Sequence, residues 1–204
     1  MKVIKVKNYE ELSLQASNII LNIVRENPKA ILGLATGSSP IGLYQNLIKA
    51  YQAGEVSFKD VKTFNLDEYC NLPRDHKESY FSFMNRNLFK HIDILEENVH
   101  IPATNGEDLQ KLCDDYNELL HKNVIDIQLL GIGANGHIGF NEPGTPFENE
   151  TSVIELTDKT RQDNKRFFNS IDEVPRYAIT MGIKNIMNAK EILLIANGKN
   201  KADA

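Results

Sequence analysis

Two cysteines occur in 204 residues, Cys70 and Cys113, and neither belongs to a C-x-x-C pair or a Cys/His cluster. That scarcity argues against a disulfide framework and against a zinc site, and leaves two free thiols as the plain reading. Positive charge is also in short supply. Lys and Arg number 23 against 28 Asp and Glu, a net charge of -5. No broad basic field exists to gather nucleic acid or anionic lipid, so any phosphate must be held locally, by loops and single cations. No apolar run approaches the roughly 20 residues of a membrane span, and the N-terminus MKVIKVKNYEE is too charged for a signal peptide. A cytoplasmic protein with neither nucleic-acid nor membrane partners is expected. Repeats, low-complexity stretches and linkers are absent as well.

The chain is long enough for one medium domain with a substantial core. Hydrophobic residues make up 41% and charged residues 25%, ordinary proportions for a globular domain. Short apolar runs recur at residues 2–6, 30–35, 61–66, 98–101, 124–132, 152–156, 177–181 and 191–196. Amphipathic segments lie between them, at 9–26, 40–53, 78–91 and 106–122, the first carrying Leu12, Ala16, Ile19, Ile20, Ile23 and Val24 at helical spacing. Ser39-Pro40 reads as a hydroxyl N-cap followed by proline at the first helical position. The alternation predicts an α/β fold: a three-layer, Rossmann-like open sheet of mostly parallel strands with helices on both faces. After the run 191–196, NGKNKADA reads as a loop and one helical turn, which cannot sustain itself in water. A single domain over 1–204, truncated inside its last element, is the expectation.

Ligands of open α/β sheets collect beyond the carboxyl ends of the strands, and three such places carry chemistry. In GLATGSSP, Gly33 to Pro40, a strand runs into Thr36-Gly37-Ser38-Ser39 and a helix opens. Free N–H groups, hydroxyls and a helix dipole make this an anion site, or merely a capped turn. It lacks the G-x-x-x-x-G-K-[ST] pattern, which disfavours a nucleoside triphosphate. In TFNLDEYCNL, Asp67 and Glu68 follow an apolar run, where a desolvated carboxylate could take a proton from carbon, or simply form a turn. The third place is GIGANGHIGFNEPG, Gly131 to Gly144. Its G-x-G-x-x-G spacing suggests a dinucleotide cradle, but Gly139, Asn141, Pro143 and Gly144 break any helix after Gly136. What remains is a loop presenting Asn135, His137 and Glu142. Histidine can move protons near neutrality, and a nearby carboxylate can orient it; a structural histidine in a turn is the plainer alternative.

Together these stretches resemble the glucosamine-6-phosphate deaminase family of aminosugar-phosphate isomerases/deaminases. The likeness rests on L-A-T-G-S-S-P (34–40), F-N-L-D-E-Y (64–69), H-K-E-S-Y-x-x-F-M (76–84) and G-x-G-x-N-G-H-I-G-F-N-E-P (131–143). T-R-x-x-N-x-R-F-F (160–168) and V-P-R-Y-A-I-T-M-G (174–182) match too. The resemblance implies conversion of glucosamine 6-phosphate and water to fructose 6-phosphate and ammonia, with neither metal nor organic cofactor. It implies that His137 opens the sugar ring, that Glu142 holds and polarises it, and that Asp67 moves the C2 proton to C1. It places the substrate phosphate on Thr36, Gly37, Ser38 and Ser39, with Arg166 and Lys201 as cations, and it makes residues 144–175 a lid.

Two positions depart from the family pattern. Asn135 stands where some relatives have Asp, and can only hydrogen-bond, to His137 or a sugar hydroxyl, which leaves Glu142 as the expected partner of the imidazole. Ser152 and Ile154 stand where allosteric hexamers carry an Arg and a Lys for an effector phosphate. A monomer or small homo-oligomer is therefore expected rather than an allosteric hexamer. The competing readings are a 6-phosphogluconolactonase-like hydrolase, which leaves F-N-L-D-E-Y unexplained, and a non-catalytic sugar-phosphate sensor, which would need a DNA-binding segment not found here. His76, His91, His100 and His121 suggest no role and are expected at the surface.

Overall fold

The computed structural model describes residues 1–165 and 168–204, apart from the side chains of Lys159 and Asp163. Five parallel strands form the main sheet: β1 (Ile31–Leu34), β2 (Lys62–Asn65), β4 (Val99–His100), β5 (Ile127–Leu130) and β8 (Glu191–Leu194), in the order β4-β2-β1-β5-β8. Buried on both faces, strand β1 reads as a continuous apolar run rather than an alternating one, and β5 does so apart from buried Gln128.

Helices cover each face. On one side α1 (Tyr9–Glu26) and α2 (Ile41–Gln52) pack Ile20, Leu21, Leu43 and Leu47 against Leu32, Leu34, Ile127 and Leu129, with Met84 of α3 (Tyr80–Asn87) joining them. Truncating one of these aliphatic side chains to Ala typically costs about 2–5 kcal/mol, because the cavity closes only in part. On the other side α4 (Leu109–Lys122) and α6 (Ile183–Met187) set Tyr116, Leu120 and Ile186 against Phe64, Ala35 and Leu130. The three-layer arrangement expected from the alternation is present.

A second sheet departs from the parallel plan. β3 (Asp67–Tyr69), β7 (Tyr177–Thr180) and β6 (Ser152–Glu155) pair antiparallel in the order β3-β7-β6. One residue, Leu66, carries the chain between sheets: its N–H bonds to Leu34 O, and its carbonyl accepts from Met181 N. Asp67 and Glu68, which follow the apolar run as read from the sequence, open this short strand, with Asp67 opposite Thr180.

Two local expectations are corrected. Residues 2–6 form no strand, for Met1, Val3 and Ile4 are exposed and the segment pairs with neither outer strand of the main sheet. Alternation makes a strand only where a ladder partner accepts it. Pro40 rather than Ser39 occupies the N-cap of α2, in helical conformation and without a side-chain cap. The Ser39 hydroxyl donates to Asn197 Oδ1 at 3.3 Å, tying the loop after β1 to the segment after β8. Among the described residues, no helix is long and apolar enough to cross a membrane.

Candidate active site

The ends of β1, β2 and β5 open onto a cleft of about 450 Å³. Thr36, Gly37, Ser38, Ser39, Asp67, His137 and Lys201 all line it, so seven residues from four separate stretches of sequence converge. Asn135 and Glu142 stand behind His137 rather than on the cleft wall. Arg166 lies outside the described residues.

Asp67 is buried at the base of this cleft. Burial, and secondly the charge of Glu68 beside it, push its pKa up from 3.8 to about 8. A carboxylate held out of water binds a proton from a weak acid far more strongly than an exposed one. Gly139 makes the approach possible: at φ +58 it leaves room where a Cβ would come 3.3 Å from Asp67 Oδ2 and 3.2 Å from Thr180 Oγ1.

Glu68 points away from the cleft into the start of α3. Its Oε1 accepts the N–H groups of Tyr69 and Tyr80, and its Oε2 that of Phe81, each at 2.9 Å. Burial raises its pKa, while these three N–H groups and Arg74 pull it back. The carboxylate thus fastens the first turn of α3 to β3, and with it Tyr80, whose ring lines the cleft and stacks near Tyr69 and Phe140. Burial, followed by its neighbours Tyr69 and Asp67, holds the Tyr80 phenol well above its ordinary range, so it stays protonated.

The histidine loop is built by three glycines and one asparagine. Gly136, at φ +93, makes the turn, and Gly133 N–H bonds back to His137 O at 2.8 Å. The imidazole lies flat over Gly133, where a Cβ would come 2.3 Å from the ring. Buried Asn141 then staples the loop to the second sheet, its Nδ2 donating to Met181 O at 2.8 Å. Phe140 N donates to Thr180 Oγ1 close by.

Behind His137 the contacts differ from expectation. Glu142 Oε2 accepts from Asn135 Nδ2 at 2.7 Å, and Asn135 Oδ1 lies 2.7 Å from His137 Nδ1. Of the two roles left open for Asn135, the bond to His137 is the one made, and Glu142, the expected partner of the imidazole, reaches it only through that amide. A carboxylate only accepts, which fixes the amide with its NH₂ toward Glu142 and its oxygen toward the histidine.

Several site residues carry no motif-independent signal in the sequence. Tyr80, Phe140, Thr160 and Asn164 line the cleft, the last two from α5 (Asp158–Asn164). Their spacing of four residues on one helix face was the only available hint. Among the other histidines, His91 and His121 are exposed as expected, whereas His76 and His100 are half-buried. His100 stacks on Phe64 with ring centroids 4.5 Å apart, and burial, then Lys62, lowers its pKa. Both cysteines are free and buried, with thiol pKa values raised by that burial.

Comparison with known proteins places this geometry. Residues 7–204 match the family described as glucosamine-6-phosphate isomerases/6-phosphogluconolactonase. A glucosamine-6-phosphate deaminase of Clostridium novyi is 55% identical over 205 residues, covering 100% of this chain and 85% of the relative. One from Thermoanaerobacter sp. is also 55% identical, covering 100% and 81%. A solved structure of a monomeric glucosamine-6-phosphate deaminase superposes with a TM-score of 0.96 at 48% identity, over 100% of this chain and 85% of that one. The 6-phosphogluconolactonase of Trypanosoma brucei shares the fold at TM-score 0.79 and 20% identity, over 98% and 84%. With its full length matched and its cleft assembled from the motifs that carry the likeness, the chain belongs to the glucosamine-6-phosphate isomerase/6-phosphogluconolactonase family.

Proposed function

We propose that this chain deaminates glucosamine 6-phosphate, releasing ammonia and leaving fructose 6-phosphate. One observation carries the reading beyond kinship: a buried carboxylate of raised proton affinity, Asp67, shares a cleft with a histidine whose outer nitrogen is held by an amide. In this reading the phosphate rests on Thr36, Gly37, Ser38 and Ser39, with Lys201 and Arg166 as cations. His137 takes the proton of the anomeric hydroxyl and delivers one to the ring oxygen, opening the pyranose. Asp67 removes the C2 proton of the open-chain aldehyde and returns a proton to C1. The C2 imine so formed adds water and expels ammonia, leaving the ketone. Asn135 and Glu142 orient the imidazole and touch no reacting atom.

Residues 144–175 act as the lid. Thr160 and Asn164 support this, since they bring α5 to the cleft wall, where closure would keep bulk water from the C2-to-C1 proton transfer, one water being needed afterwards to hydrolyse the imine. The protein works as a monomer without an effector site, a reading supported by its 48% identity to a monomeric deaminase and by uncharged Ser152 and Ile154 on β6. A lactone hydrolase or a sensor on this fold has no need of a carbon base, so Asp67 favours the deaminase.

The test is ammonia release from glucosamine 6-phosphate, with and without N-acetylglucosamine 6-phosphate. No turnover would sink the deaminase reading, and strong activation by the acetylated sugar would sink the non-allosteric one. Light scattering on the eluting peak of a sizing column checks the monomer.

A further inference from the structure

Tyr9, the first residue of α1, lies outside the cleft yet is bonded to the loop that borders it. Its hydroxyl accepts from Gly42 N at 2.9 Å and shares its one proton between Ser38 O at 3.0 Å and Ser39 O at 3.1 Å. The start of α1 is itself pinned, for Asn8 Oδ1 caps Glu11 N at 2.8 Å and Lys7 N donates to Glu11 Oε2 at 2.7 Å. The contact also explains Gly42. A Cβ there would come 2.3 Å from Ser13 Oγ and 3.1 Å from the Tyr9 ring, so only glycine lets the two helix starts meet.

The consequence follows from peptide geometry. Among the described residues no peptide bond is cis, so a unit's carbonyl and N–H point in opposite directions. With Ser38 O drawn to Tyr9, the N–H of Ser39 must point away from Tyr9. Ser39 O is held on the same hydroxyl, and the unit it belongs to ends in Pro40, which has no N–H. If either unit turned over, the cleft would face a carbonyl oxygen, which repels an anion.

We propose that Tyr9 is a positioning residue for the phosphate loop: its hydroxyl holds the Ser38 and Ser39 carbonyls out of the cleft, so that the loop presents N–H groups to a phosphate dianion. Tyr9 itself touches no substrate. The inference rests on the reading of Thr36–Ser39 as the phosphate site.

Tyr9→Phe keeps the ring and removes the hydroxyl. A neutral hydrogen bond contributes about 0.5–1.5 kcal/mol net, about 2- to 13-fold in an equilibrium constant. The expected result is a rise of that size in KM for glucosamine 6-phosphate, with kcat held within about twofold. The inhibition constant of inorganic phosphate, the probe for the loop, should rise by the same factor. Circular dichroism and Tm confirm folding. If KM and the phosphate constant are unchanged, or if only Tm and kcat fall, Tyr9 is merely structural and the inference is overturned. Should inorganic phosphate fail to compete with substrate even in the wild type, the phosphate-loop reading itself fails. Competition in the wild type with no change in Tyr9→Phe would sink the Tyr9 inference alone.

Discussion

The amide oxygen of Asn135 lies 2.7 Å from His137 Nδ1, and this contact fixes the tautomer of the ring. An amide oxygen only accepts, so Nδ1 carries the hydrogen and the neutral imidazole has its lone pair on Nε2. Glu142 enforces the arrangement from one step further out, by holding the NH₂ of the same amide.

The two outer residues should therefore differ in what they tolerate. Glu142→Gln can still offer a carbonyl to Asn135 Nδ2, so its kcat should fall less than tenfold. Glu142→Leu frees the amide to turn over, and Asn135→Ala removes it. Both should lose at least about 10²-fold in kcat, since a mis-set imidazole tautomer can cost as much as about 10⁴-fold. Steady-state ammonia release measures all three, and equal losses for Gln and Leu would contradict the relay.

Asp67 must be ionised to accept a proton, and its pKa is raised to about 8. The log of kcat/KM should therefore climb with pH and level off above about 8. Glu68→Gln removes one cause of the shift and should move that limb to lower pH. Asp67→Asn should lose about 10²–10⁴-fold while still binding the sugar phosphate. A flat profile between pH 6 and 8 would show that Asp67 is not the base.

The same shift has a sign for stability. The folded chain binds the Asp67 proton more tightly than the unfolded chain, so this group's stabilising contribution is complete below about pH 4. It is lost as pH rises toward about 8. Asp67→Asn carries no charge to bury, so its Tm should exceed that of wild type at pH 9, with the gap narrowing toward pH 5. Each kcal/mol corresponds to about 2–4 °C for a domain this size. A lower Tm for the variant at pH 9 would contradict the assignment.

Gly133→Ala tests the seating of the imidazole. Its Cβ would meet the His137 ring at 2.3 Å, a distance real contacts do not show. The loop around it is partly exposed, so the ring should yield rather than the fold. A kcat loss of more than about 10²-fold with a Tm change within about 4 °C is expected.

Away from the cleft, a buried amide network ties α4, β6 and α6 together. Asn117 Oδ1 accepts from Thr151 N at 3.0 Å and from Asn185 Nδ2 at 3.1 Å, and Asn117 Nδ2 donates to Thr151 O. Asn117→Ala leaves a buried N–H unpaired, which costs about 1–3 kcal/mol. Chemical denaturation should register that loss with kcat little changed.

How much of this was legible in the sequence differs by residue. Asp67, His137 and the Thr36–Ser39 loop were found because strand ends in a parallel sheet face one crevice, a rule that acts through local order, whereas Lys201 came only from the family resemblance. The Asp67–Tyr69 strand was not found, since three residues carry no period of their own and take their conformation from β7, more than a hundred residues away. Residues 2–6 erred in the opposite direction, alternating like a strand without a partner. The roles of Tyr9, Glu68 and Tyr80 arise from hydrogen bonds to distant backbone, which no spacing announces. For Asn135 the sequence left two hydrogen-bonding roles open, to His137 or to a sugar hydroxyl, and the three-dimensional contact shows the first.

Leu66 joins the two halves of the cleft. Asp67 belongs to the second sheet, to which Asn141 staples the histidine loop, while the Thr36–Ser39 loop, proposed to hold the phosphate, follows β1. Leu66 bonds through its main chain to Leu34 on one side and Met181 on the other, so between β1 and the second sheet the spacing is set there by backbone hydrogen bonds. The protein thus carries a ruler whose length side-chain substitutions do not reset. A sugar phosphate one carbon shorter should still compete for the phosphate loop, yet show no proton exchange at C2, because its carbon would not reach the mark.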